Sequence, residues 1–236
     1  MAGLADRTDS DKSSAMTNFE ALIFDLDGVL ADTVDYHFAA WQRIADILDV
    51  PFDRAMMNRF RGRQRRDCLL ELAGEDLACD AAELDRLMVL KDSYYLEDLQ
   101  RMTRDDLLPG VWSFIQAATA AQLKLAVASS SMSAIPVLER TGILPYMDVV
   151  ADGSTVSRSK PAPDIFVWAA GALRTRPVHT IVFEDSSAGV EAARVAGMGV
   201  VGVGNQNLTQ GAHLHIPNFE HITVSELLES MARAVR

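Results

Sequence analysis

The sequence is poor in the residues that define several protein classes. Only two cysteines, Cys68 and Cys79, occur in 236 residues, too few for a disulfide scaffold or a cysteine zinc cluster. No apolar run reaches the ~18 residues that a membrane-spanning helix requires. The N-terminal stretch MAGLADRTDSDKSSAMT lacks the apolar centre of a secretory signal. Basic residues are in deficit: 22 Lys and Arg stand against 33 Asp and Glu, a net charge of −11. Such a chain is repelled by nucleic acid and by anionic membrane, so neither is an expected partner, although a local basic patch can still capture a small anion. These absences lead us to expect a soluble, cytoplasmic, monomeric protein. The apolar and charged fractions, 49% and 23%, are those of a chain that buries a core. The length allows one large domain or two small ones.

Residues 1–17 are polar and small and read as a disordered tail. Ala21-Leu22-Ile23-Phe24 follows, a short apolar run that stops at Asp25. An unbroken run of this length suits a strand buried on both faces, as in a parallel sheet. Similar runs recur at Leu123–Ala128, Thr180–Phe183 and Val200–Val203, with helical patterns at Val111–Ala121, Pro163–Leu173 and Ala188–Ala196. Alternating strands and helices predict an α/β fold with a doubly wound parallel sheet. The stretch 35–107 reads otherwise, as helix-favouring sequence without a buried strand. Trp41, Ile44, Ala45 and Leu48 share one apolar face, and Leu84, Leu87, Met88 and Lys91 another. Leu108-Pro109-Gly110 breaks that pattern. The expected organisation is a sheet core over 18–34 and 108–236 with a helical cap inserted at 35–107.

Chemistry-bearing residues gather at the carboxyl ends of the expected strands, where ligands bind in open α/β sheets. The first strand runs into Asp25-Leu26-Asp27-Gly28. In extended chain, residues i and i+2 point the same way, and two carboxylates on one side repel unless a cation or a proton joins them. Gly28 lets the chain turn sharply after them. A second acidic strand end, Glu184-Asp185, would complete an oxygen-rich site of the kind that Mg²⁺ prefers. Taken alone, that pair fits a solvated loop or a helix cap equally well. Ser129-Ser130-Ser131 ends another run, where hydroxyls and backbone N–H groups can hold phosphate oxygens. Lys160-Pro161 places a point charge just before a helix. Arg59, Arg61, Arg63, Arg65 and Arg66 fall within eight residues with no acid among them; such a cluster is either a solvated face or an anion clamp.

The order Asp-x-Asp, strand-end Ser, Lys-Pro, Glu-Asp resembles the haloacid dehalogenase superfamily of phosphoryl-transfer enzymes, over about residues 20–205. Within it, Asp25–Thr33, Tyr36-His37, Ala40-Trp41 and Ser159–Phe166 are most similar to the β-phosphoglucomutase branch. The resemblance implies a Rossmann-like core with a helical cap. It implies Asp25 as nucleophile, forming an aspartyl phosphate. Mg²⁺ would be held by Asp25, the Asp27 carbonyl and Asp185, with Glu184 in support. Asp27 would be the general acid and base, Thr33 the hinge, and Ser129 and Lys160 the holders of the transferring phosphate. Ser130, Ser131 and Ser133 would line the phosphate site. In the cap, His37 would couple substrate binding to Asp27, Trp41 would pack or meet the sugar, and Arg61, Gly62 and Arg65 would bind substrate, Arg65 as clamp on the second phosphate.

The chain departs from that branch in places. Many of its members have Lys-Asn after the second serine, where Met132-Ser133 stands here. Cys68 replaces a cap serine, and Arg63-Gln64 alters the cap loop; Arg63 or Arg66 would compensate for the missing charge. Cys68 and Cys79 read as plain core or surface thiols. The expected activity is Mg²⁺-dependent conversion of β-D-glucose 1-phosphate to D-glucose 6-phosphate through glucose 1,6-bisphosphate. The alternative is a sugar-phosphate phosphatase with the same nucleophile.

Overall fold

A computed structural model describes residues 19–61, 63–74 and 80–235; the expected tail, Gly62 and Cys79 lie outside the described residues. The sheet has six parallel strands: β1 (Ala21–Phe24), β2 (Lys124–Ala128), β3 (Val149–Ala151), β4 (Thr180–Glu184), β5 (Gly199–Val203) and β6 (Leu214–Ile216). Their order is β3-β2-β1-β4-β5-β6. The chain winds outward from β1 through β2 to β3, then crosses to the other side of β1 and winds through β4 to β6. That reversal sets the switch-point crevice at β1.

Side chains along the strands alternate between two cores. Leu22, Phe24, Leu125, Val127, Ile181 and Phe183 face one way. They pack against the helices Val111–Ala120, Ala134–Thr141 and Val224–Ala234. Ala21, Ile23, Ala126, Ala128 and Val182 face the other way, against Asp164–Leu173 and Ser187–Val195. The aromatic centre of the first core is Phe24 stacked on Phe183 at 4.7 Å, flanked by Phe114 and Phe219. The doubly wound sheet is as expected. The strands β3 and β6 and the helices Ala134–Thr141 and Val224–Ala234 carried no expectation. β3 and β6 are edge strands of three residues each, too short for a periodic signal.

Among the described residues, four α-helices stand between β1 and β2 before the first sheet-packing helix: α1 (Val34–Leu48), α2 (Arg54–Phe60), α3 (Arg65–Ala73) and α4 (Ala81–Leu99). They enclose their own core of Trp41, Ile44, Ala45, Met57, Phe60, Cys68, Leu69, Leu72, Leu84 and Leu87. The chain entering and leaving this insert runs side by side. Asp32 N–H donates to Asp106 O at 2.8 Å, and Leu108 N–H to Leu30 O at 3.0 Å. This paired neck fixes the insert above the carboxyl end of β1.

Candidate active site

Register brings the site together. Phe24 pairs with Val127 on one side and with Phe183 on the other, so Asp25 and Glu184 emerge at one level, with Ser129 one residue beyond it. Asp25, Glu184 and Asp185 are all buried, and one carboxylate oxygen from each lies within 4.8 Å of the others. Lys160 sits among them with 1% of its surface exposed. Its Nζ donates to Asp25 Oδ1 and Glu184 Oε1 at 2.5 Å each, and to Ala128 O at 3.1 Å. Glu184 is fixed at its other oxygen by the N–H groups of Asp185 and Ser186 and by the Ser186 hydroxyl, at 2.9–3.1 Å. The ammonium leaves this acid cluster under-compensated. Burial, reinforced by Glu184, Asp27 and Asp185 against the pull of Lys160, raises Asp25 well above the usual carboxylate range. Burial also lifts Asp185, to about 7, with Arg61 opposing and Glu184 adding to the rise. Three hard oxygen donors carrying excess negative charge at two strand ends are the donor set of a divalent cation such as Mg²⁺, and the residues fit one. Gly28 makes room for the Asp185 carboxylate. At φ +82° it adopts a conformation that favours glycine, and a Cβ there would stand 2.2 Å from Asp185 Oδ2.

Asp27 takes other partners than the two-residue spacing predicts. The strand ends at Phe24, and the chain turns through residues 26–30 instead of staying extended. The Asp27 carboxylate accepts from the Thr33 hydroxyl and from Ser129 Oγ at 3.5 Å, and faces His37 Nε2 at 3.4 Å. Behind it, the His37 ring stacks on Tyr95 at 4.0 Å, and Nδ1 meets Lys91 Nζ at 3.0 Å. An ammonium can only donate, so Nδ1 is the acceptor and Nε2 carries the proton toward Asp27. Burial alone would raise Asp27, but His37, Thr33 and Lys91 outweigh it and hold the group at about 2. Burial lowers His37, with Lys91 adding to the effect, and burial brings Lys91 down to about 8. Two carboxylates two residues apart are thus pushed in opposite directions by their surroundings.

A cleft opens between sheet and insert. Asp25, Asp27, His37, Trp41, Arg61, Arg63, Arg65, Lys91, Ser130 and Ser131 are among its lining. Ser129 accepts from Ser131 N–H at 3.0 Å and Ser131 Oγ from Ser133 N–H at 3.2 Å, a serine turn beside the cleft. Trp41 is buried against Phe60, with ring centres 5.3 Å apart, so it packs the cap while one side reaches the cleft. The arginines resolve individually. Arg61 pairs across to Asp185. Arg59 and Arg63 both pair with Glu71, and Arg65 pairs with Asp92. Arg66 is exposed and does not line the cleft. Cys68 is buried and its thiol is pushed up to about 12 by burial, as an inert core residue requires. Sequence reasoning assigned no role to Lys91, Tyr95 or Asp92. The available signal was Lys91 itself, a charge on the buried face of α4 in line with Leu84 and Leu87.

The haloacid dehalogenase-like hydrolase family matches residues 19–197. The chain is 38% identical to the β-phosphoglucomutase of Bacillus subtilis over 213 residues, covering 89% of this chain and 94% of that protein. It is 34% identical to a phosphorylated carbohydrates phosphatase of Thermotoga maritima, over 76% of this chain and 82% of that one. The crystal structure of β-phosphoglucomutase from Clostridium difficile superposes with a TM-score of 0.88 at 32% identity, over 92% of this chain and 99% of that one.

Proposed function

Since the chain belongs to the haloacid dehalogenase-like hydrolase family, we propose that it transfers phosphoryl groups through Asp25 and acts as a sugar phosphomutase, taking β-D-glucose 1-phosphate to D-glucose 6-phosphate. The observation that carries this reading is the buried cluster of Asp25, Glu184 and Asp185 at the strand ends, with Asp25, Asp27 and the insert's His37 lining one cleft, in a chain 38% identical to a β-phosphoglucomutase. Asp25 Oδ attacks phosphorus in line, forming an aspartyl phosphate as the phosphoester bond breaks. Asp27, held as a carboxylate, takes the proton of the sugar 6-hydroxyl as that oxygen attacks the phosphorylated Asp25, which gives the 1,6-bisphosphate. With the ends of the bisphosphate exchanged, the protonated Asp27 returns the proton to the departing 1-oxygen. Asp25 and Asp185, with Glu184 in support, would hold Mg²⁺, which supplies charge neutralisation for the incoming phosphate. Lys160 and Ser129 orient the transferring group, and the insert excludes water from the aspartyl phosphate.

A phosphatase reading draws support from the Thermotoga maritima relative; both reactions use the same core residues. Incubation with β-glucose 1-phosphate, Mg²⁺ and a trace of glucose 1,6-bisphosphate separates them. Glucose 6-phosphate is the expected product, and release of inorganic phosphate without isomer would replace the mutase by the phosphatase. The Asp25→Ala variant is expected to fall to background in both assays, and robust turnover by it would remove Asp25 as nucleophile.

A further inference from the structure

The cleft has a charge balance that the arginine count conceals. Four cations line it, Arg61, Arg63, Arg65 and Lys91. Arg61 is matched by Asp185, Arg63 by Glu71, and Lys91 is turned onto His37. Arg65 on α3 is matched by Asp92 on α4. Glu71 stands outside the lining, whereas Asp92 is part of the wall. A ligand that reaches Arg65 therefore meets the Asp92 carboxylate as well. The second Nη of Arg65 donates to the thioether of Met132, at 3.3 Å, and its Nε is buried without a partner among the described residues. Where cap and core meet, the cleft wall thus brings together Arg65, Asp92 and Met132, whose charges sum to zero.

We propose that Asp92 is a specificity-determining residue: by neutralising Arg65 it makes the cap wall a weak holder of a second phosphate dianion. This rests on the reading above that the non-reacting phosphate of the sugar bisphosphate meets Arg65. While Asp92 holds one Nη of Arg65, that N–H group is committed to the carboxylate and reaches a dianion only in competition with it. A loose grip has a use in the mutase cycle. The bisphosphate must leave the cap wall, exchange ends and settle again, and a fully charged clamp would hold it in one orientation.

Binding of glucose 1,6-bisphosphate, measured by calorimetry in an Asp25→Asn background, tests this without dependence on which acceptor the enzyme uses. Asp92→Asn is expected to tighten binding about tenfold, Asp92→Glu to leave it near the parent value, and Arg65→Ala to weaken it. In the Arg65→Ala background, Asp92→Asn is expected to lose most of its effect, because it acts through Arg65. Asp92→Ser repeats the test should the asparagine variant fold poorly. Weaker binding by Asp92→Asn, approaching that of Arg65→Ala, would overturn the proposal and make Asp92 a residue that only orients the arginine. Equal tightening with and without Arg65 would also overturn it. If the bisphosphate binds none of these proteins, both the mutase reading and the role of Asp92 fall. If glucose 6-phosphate is formed while Asp92→Asn leaves affinity unmoved, the role of Asp92 falls alone.

Discussion

Asp25 and Asp27 are the same residue type in nearly the same place, and their neighbours make them different acids. Asp25 lies among Glu184 and Asp185 with one ammonium between them, so its charge is costly. Asp27 accepts from Thr33 and faces an imidazole N–H backed by Lys91, so its charge is welcome. Lys91 is the remote member of that relay and the one whose titration falls near working pH, at about 8 because it is buried. Below that value it is cationic and donates to His37 Nδ1, which holds the ring N–H on Asp27. Above it the charge is lost and the support weakens. The kcat/KM profile is therefore expected to fall as pH rises through about 8. Lys91→Met is expected to lower kcat/KM by about 10- to 100-fold and to flatten that alkaline limb. An unchanged limb in the variant would show that another group produces it.

At the scale of elements, the turn from β4 into the helix Ser187–Val195 shows how backbone and site share residues. Gly189 N–H donates to Ser186 Oγ, which itself donates to Glu184. A Cβ on Gly189 would stand 1.9 Å from the Glu184 carboxyl carbon. The contact is with a carboxylate pinned by four donors, so it cannot give way cheaply. Gly189→Ala is expected to cost about 1–3 kcal/mol, read as a lower denaturant midpoint, and to reduce transfer by displacing Glu184. A variant with wild-type stability would mean that the helix start shifts freely. The same region marks what sequence could and could not reveal. The strands β1, β2, β4 and β5 are legible because each is a buried run ending in polar residues. The acid cluster is legible because those ends carry carboxylates. The partners of Asp27 were out of reach by local spacing, since the chain leaves the extended conformation one residue past Phe24. The pairing of the arginines was equally hidden. Asp92 and Glu71 are distant from them in sequence or look like ordinary helix-surface acids; the packing of α3 on α4 brings Asp92 to Arg65, and the turn from α2 into α3 brings Glu71 to Arg59 and Arg63.

For the molecule as a whole, the buried acids are a liability that a bound ion removes. The chain carries a net −11, and three of its carboxylates are buried within 4.8 Å of one another. A divalent cation that binds the folded state stabilises it by mass action, about 2.7 kcal/mol at a hundred times Kd, or roughly 5–10 °C in Tm for a chain of this size. The pH dependence follows from Asp185, whose folded-state value of about 7 lies above the ordinary aspartate value of 3.8. A raised carboxyl favours the fold while it is protonated. Its contribution is fully present below the unfolded value and is lost as pH rises through about 7. The ion must displace that proton, so its binding is weaker at pH 6 than at pH 8. Scanning calorimetry with and without saturating Mg²⁺ is therefore expected to show a larger rise in Tm at pH 8 than at pH 6, and Asp185→Asn is expected to abolish most of it. Equal rises at the two pH values, or a full rise in the Asp185→Asn protein, would place the ion somewhere other than the junction of β1 and β4.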